Sequence, residues 1–161
     1  MKSYHLYLFT LEAVPLMVGK VYNPLPSHLT LMSRFRSELS PDELTNAVEP
    51  LFAQSPPIEL RLGNSVDLGP KKTPVHLVEH TKELRELHAK LRNFLDTMSV
   101  TYEYPQFVGD NHKPHISKRQ NDGFAQGHEQ TSRAAYLIEV EIKGEEHLRL
   151  ICTKFDLGRQ P

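Results

Sequence analysis

Apolar residues recur along this chain in two rhythms, one near every second position and one near every 3.6. Residues 4 to 11 are apolar and branched on both faces, which predicts a central strand covered from both sides. Residues 12 to 26 hold Pro15, Gly19, Asn23, Pro24 and Pro26 and predict a connection with little regular structure. A strand-like run follows from Ser27 to Phe35. Ser40-Pro41-Asp42-Glu43 starts a helix, because serine caps, proline suits the first turn and Glu43 completes a capping box. Leu44, Ala47, Val48, Leu51 and Phe52 then form one apolar stripe, and Pro56-Pro57 stops it. Ile58, Leu60 and Leu62 alternate with Glu59 and Arg61, a half-buried strand that Gly63-Asn64 punctuates. Gly69-Pro70 punctuates again before a short strand from Val75 to Val78.

Thr81 to Met98 predicts a second helix, with Leu84, Leu87, Leu91, Leu95 and Met98 on one face. Tyr102 to Val108 reads as extended and aromatic, and Pro114 to Arg119 as a strand. Asn121 to Arg133 is polar, contains Gly123 and Gly127, and reads as a loop or lid. Tyr136, Ile138, Val140 and Ile142 alternate with Glu139 and Glu141, and the turn at Lys143-Gly144 leads into a last strand from Leu148 to Phe155. About seven strands and two helices, with strands following one another directly, predict an α+β fold with mainly antiparallel sheet.

Composition narrows the function. The 161 residues suffice for one compact domain over 1–161, or two small lobes sharing a core. Nineteen basic and twenty acidic residues give a net charge of -1, so no general field holds long nucleic acid by charge alone. The one cysteine, Cys152, excludes an internal disulfide and an all-cysteine zinc site, and it predicts a buried, inert thiol. No apolar run approaches the ~18 residues of a membrane helix, so a cytoplasmic, monomeric protein is expected.

The chemistry lies in a coarse internal echo. Pro26-Ser27-His28-Leu29-Thr30-Leu31 and Lys113-Pro114-His115-Ile116-Ser117-Lys118 each carry His-x-Ser/Thr after a proline in a strand-like run. The bare pattern is expected about once by chance in a chain of this composition, so the shared context is what distinguishes the pair. On a strand, residues two apart share a face. His28 therefore projects with Thr30, and His115 with Ser117, around Leu29 and Ile116. If both strands meet, two imidazoles and two hydroxyls converge on one cleft. Imidazole gives or takes a proton near neutrality, and the hydroxyls donate to phosphoryl oxygens, with no metal or other cofactor required.

In these two motifs, and in the order of elements around them, the chain resembles the two-histidine (2H) phosphoesterases, the 2′-5′ RNA ligase-like superfamily. The resemblance implies a bilobal sheet with flanking helices around a central groove, each lobe contributing one motif strand. It implies action on cyclic phosphates or 2′-5′ linkages of nucleotides or RNA ends, with His28 and His115 catalytic and Thr30 and Ser117 binding phosphate. Serine at 117 and basic Lys118-Arg119 depart from the commoner pattern, as does the proline-broken stretch before the first motif. A different class of function, a silent module that binds a nucleotide or RNA end in the same groove, is separable by assay.

Same-face counting places Lys113 and Arg119 with His115, within reach of a second phosphate or a ribose, and leaves Arg34 rather distant from His28. Tyr22, Tyr104 and Phe107 are candidates to stack a base. His76 and His80 are not in a His-Glu-x-x-His pattern, and Pro114 separates His112 from His115, so neither pair forms a metal motif. His88 is expected in the core, His128 and His147 at the surface.

Overall fold

The computed structural model describes residues 4–117 and 124–158. Its strands are β1 His5–Glu12, β2 Val21–Tyr22, β3 His28–Ser37, β4 Ile58–Leu68, β5 Thr73–Val78, β6 Thr101–Tyr102, β7 His115–Ser117, β8 Glu129–Ser132, β9 Ala134–Lys143 and β10 Glu146–Asp156. The helices are α1 Pro41–Ala53 and α2 Lys82–Asp96. The strands run in the order β2-β10-β9-β1-β3-β7-β5-β4-β8, with β6 beside β3. Neighbours pair antiparallel throughout. The fold is α+β with an antiparallel sheet, as strands that follow one another directly predict.

β1 sits in the middle of this sheet, and Tyr7 to Leu11 are buried on both faces. One face packs on the helices. α1 rests against β9 and β10, and α2 against β3. Phe9, Phe35, Phe52 and Phe155 form the aromatic centre of that core, with Phe52 and Phe155 stacked at 4.8 Å. The opposite face carries a smaller cluster of Leu8, Tyr136, Ile138 and Ile151, closed by Leu16 and Leu25 from the proline-rich connection. α1 begins where its cap predicts. The Ser40 hydroxyl accepts from the Glu43 amide while the Glu43 carboxylate accepts from the Ser40 amide. Thr81 accepts from the Leu84 amide at the start of α2.

Four expectations are corrected. Gly63-Asn64 does not end a strand: β4 runs through it with a register shift between Leu62 and Ser65. A bulge absorbs the irregular residues, and the strand changes partner there, from β8 to β5. Within Asn121 to Arg133, residues 121–123 lie outside the described residues, and Glu129–Ser132 is the strand β8, paired with Ile58–Arg61. An edge strand with one solvated face needs little apolar alternation, so its polar sequence conceals it. Tyr102 to Val108 is extended only at its start, because Pro105 opens a 3₁₀ turn over Pro105–Phe107. The connection before the first motif contains the two-residue strand β2 on β10.

Candidate functional site

β3 and β7 pair antiparallel with Leu29 opposite Ile116, both fully buried. Their neighbours therefore emerge on the other face, where His28 lies across from Ser117 and Thr30 across from His115. The two histidines become diagonal neighbours, a spacing of roughly 7–8 Å at the backbone. Each histidine is held by the same local device. His28 Nδ1 donates to the Pro26 carbonyl at 2.8 Å, and His115 Nδ1 donates to the Lys113 carbonyl at 2.7 Å. A carbonyl only accepts, so the proton sits on Nδ1, and Nε2 is the basic nitrogen of each neutral ring. Both rings are half-buried.

Two cavities meet over this face. One, of about 370 Å³, is lined by His28, Arg34, His147 and Arg149 against the apolar wall of Leu8 and Leu25. The other, of about 490 Å³, is lined by His115, Ser117, Lys113, Phe107 and the hairpin between β4 and β5. Thr30, Ser33 and Tyr104 line both, so the cavities are two ends of one groove that joins over Thr30. His28, Thr30, Lys113, His115, Ser117, Tyr104 and Phe107 all line this groove, and Arg119 lies outside the described residues. Phe107 is half-exposed, with its ring 6.2 Å from that of Tyr104.

Arg34 is not distant. Its guanidinium donates to His147 Nδ1 at 3.1 Å, to Glu103 at 3.0 Å and to the Tyr104 hydroxyl at 2.6 Å, and lies 5.4 Å over the Tyr104 ring. His147, expected at the surface, is therefore a groove residue. Its signal was present in the sequence, because Leu148 and Leu150 point one way along β10 and send His147 and Arg149 the other. Ser33 was hidden by a change of phase in β3. Tyr22 does not line the groove: it packs on the smaller core, with its hydroxyl accepting from the Met17 amide and Lys20 over its ring. His128 is half-buried, in contact with Gln130 and Phe124, so it too is less of a surface residue than expected.

A second layer of histidines supports the groove. The strand pairing between β1 and β3 shifts twice, so β3 carries extra residues between Thr30 and Phe35. Next to this irregularity, His112 Nε2 donates to the Thr30 carbonyl at 3.1 Å and His88 Nδ1 donates to the Leu31 carbonyl at 2.7 Å. The two rings stack at 4.1 Å, 6° from parallel. His88 Nε2 accepts from the Gly109 amide, whereas His112 Nδ1 is buried with no hydrogen-bond partner. Burial first, and then the neighbouring His88, hold the His112 pKa down at about 4. His88 is lowered chiefly by burial, and so is His80 nearby. The stack is neutral at neutral pH. His112 thus ties the loop ahead of His115 to the backbone of Thr30. Among the described residues, no three His, Cys, Asp or Glu side chains are grouped to hold a metal ion, and no helix is long and apolar enough to cross a membrane.

A family model described as the 2′-5′ RNA ligase superfamily matches residues 17–158. No curated protein sequence matches the chain. Among solved structures, TT0787 of Thermus thermophilus is 18% identical, with a TM-score of 0.60 over 95% of this chain and 98% of that one. A structure described as a phosphoesterase is 14% identical, TM-score 0.63, over 96% and 99%. LigT of E. coli, crystallised with 3′-AMP, is 13% identical, TM-score 0.62, over 96% and 99%. At these identities the likeness is one of fold, and the coverage shows that it spans the whole architecture.

Proposed function

From the premise that this chain belongs to the 2′-5′ RNA ligase superfamily, we propose that it is a phosphodiesterase acting on cyclic phosphates or 2′-5′ linkages of nucleotides or RNA ends. The observation that carries the reading is the matched pair of imidazoles, each fixed by its Nδ1–H on a carbonyl two residues back and sharing one face with the other. In the hydrolysis of a 2′,3′-cyclic phosphate, one Nε2 takes a proton from water as its oxygen bonds to phosphorus. The other imidazole, protonated, gives its proton to the ribose oxygen as the phosphorus–oxygen bond breaks. The product is a phosphate monoester, and the two rings end with their protonation states exchanged. Thr30 and Ser117 donate to the non-bridging oxygens as charge builds there.

Lys113 flanks the His115 end as a cation for the phosphate or ribose, and Tyr104 and Phe107 offer ring faces for a base, an interaction worth ~1–3 kcal/mol. LigT of E. coli has been crystallised with 3′-AMP, with ATP and with NADP+, which supports a small nucleotide as occupant. The test is a panel of 2′,3′-cyclic nucleotides and 2′-5′-linked dinucleotides, with new phosphate monoesters as the readout. His28→Ala and His115→Ala should each lower the rate by about 10²–10⁴-fold while leaving the protein folded. Binding across the panel without product would overturn the catalytic reading in favour of a silent nucleotide-binding module. So would activity lost to EDTA and restored by a divalent metal.

A further inference from the structure

The His28 end of the groove gathers hydrogen-bond donors beyond the two motifs. Arg34, Arg149 and His147 line that cavity together, in a chain whose net charge is -1. The Glu103 carboxylate accepts from Arg34 at 3.0 Å, and Arg149 donates to the His147 carbonyl at 3.1 Å. A guanidinium carries five N–H donors, and the three hydrogen bonds of Arg34 to His147, Glu103 and Tyr104 leave donor capacity on it. One of those three acceptors is a neutral imidazole nitrogen, weaker than an anionic oxygen.

A separate observation points to a ligand at the same place. Ser33 lines both cavities, and its hydroxyl is buried with no hydrogen-bond partner. A buried hydroxyl left unsatisfied costs free energy that a bound acceptor would restore. Ser33 lies between Thr30, at the proposed reacting phosphorus, and Arg34. Thr30 and Arg34 are four residues apart, roughly 13 Å along an extended strand, and the arginine side chain and the extra residues of β3 shorten that distance. A nucleoside spans such a gap between its 2′ or 3′ oxygen and a phosphate on its 5′ side.

We infer that Arg34, Arg149 and His147, with the Ser33 hydroxyl, form a subsite for a second phosphate group of the substrate, apart from the one between His28 and His115. This deepens the phosphodiesterase reading and rests on it for the position of the first phosphate. The substrate class is then a nucleotide bearing a reacting cyclic or 2′-linked phosphate at one end and a further phosphate at the other. That second phosphate is either a 5′-terminal group or the internucleotide link of an RNA end.

The experiment is calorimetric binding of 3′-AMP, adenosine 3′,5′-bisphosphate and the 3′-phosphorylated dinucleotide ApAp to the wild-type protein and to Arg149→Gln. Turnover of 2′,3′-cyclic AMP is measured alongside. A hydrogen bond to a charged group strengthens binding by about tenfold or more, so the favoured diphosphorylated ligand should bind about tenfold or more tightly than 3′-AMP. The advantage should shrink to within about threefold in Arg149→Gln and weaken with added salt. A gain for the bisphosphate assigns the subsite to a 5′ phosphate, and a gain for ApAp alone assigns it to an internucleotide phosphate.

Equal binding of all three ligands overturns the inference, as does an advantage that survives in Arg149→Gln. So does binding of none of them. If cyclic AMP is not consumed while the Arg149-dependent advantage remains, the catalytic reading fails and the subsite stands. Arg34→Lys keeps the charge but not the fork to Glu103 and Tyr104, and it should lose most of the same advantage at a melting temperature close to wild type.

Discussion

Acid should weaken this fold through His112 before it touches the carboxylates. In the folded protein the His112 pKa is held at about 4 by burial and by the stacked His88. In the unfolded chain it returns to about 6.5. Nε2–H is committed to the Thr30 carbonyl, and a second proton would have to go to Nδ1, which is buried without an acceptor. Above pH 6.5 the ring is neutral in both states and contributes no pH dependence. As pH falls below 6.5 the unfolded state binds the proton and the folded state does not. Stability therefore declines down to about pH 4, where the folded ring titrates too, and the decline then stops.

The full difference of about 2.5 pH units corresponds to about 3 kcal/mol, of which about 2 kcal/mol is lost by pH 5. Against the 5–15 kcal/mol typical of a small domain that is a large fraction. His88 and His80 are lowered as well and act in the same direction. The window from pH 6.5 to 5 lies above the titration of ordinary carboxylates, so histidines dominate it. The assay is urea unfolding at pH 7 and pH 5, in the wild-type protein and in His112→Gln. Gln carries an amide donor for the Thr30 carbonyl and does not titrate. The wild-type protein should lose about 2 kcal/mol more than the variant over this interval. Equal losses in the two proteins would refute the argument.

Three further outcomes are expected. Phe52→Ala removes a fully buried ring stacked on Phe155 at 4.8 Å, and it should cost about 3–5 kcal/mol in denaturant unfolding. Ser40→Ala removes the cap of α1 and half of its capping box, and it should cost about 1 kcal/mol by the same measurement. Burial and the charge of Glu139 push the Cys152 thiol up to about 11, so a thiol reagent at pH 7 should modify it far more slowly than glutathione, with full reactivity only in urea.

Most of the fold was legible because most elements obey a single rule along their whole length. The stripe of α2 is buried at Leu84, Leu87, Leu91 and Leu95 as its spacing requires, and the Ser40 cap makes both hydrogen bonds that its motif predicts. The apolar run of β1 reflects its place between β3 and β9. What escaped has a physical reason each time. β8 is a polar edge strand whose ladder to β4 supplies hydrogen bonds and little apolar burial. β4 keeps going through Gly63-Asn64 because its pairing with β5 takes up the extra residues as a register shift between Leu62 and Ser65. Turn signals mark where a chain is able to bend, and pairing decides whether it does.

Ser33 escaped counting through the change of phase in β3. Strict alternation from His28 turns Thr30, Met32 and Arg34 to the groove and Ser33 away from it. In the fold, Leu31 and Met32 are both buried in the helix-side core, while Ser33 and Arg34 both line the groove. The pairing with β1 records the extra residues, since Phe9 lies opposite Met32 while the neighbouring Thr10 lies opposite Thr30. Such a bulge leaves backbone groups that a regular ladder would have used. The carbonyls of Thr30 and Leu31, beside it, are taken by the imidazoles of His112 and His88, one on the loop before His115 and one on α2. The irregularity thus does two things at once. It turns the Ser33 hydroxyl toward the groove beside Arg34, and it ties the backbone of the first motif to the approach of the second. A local rule broken where two distant segments must be locked together is what a functional site, and not a framework strand, is expected to contain.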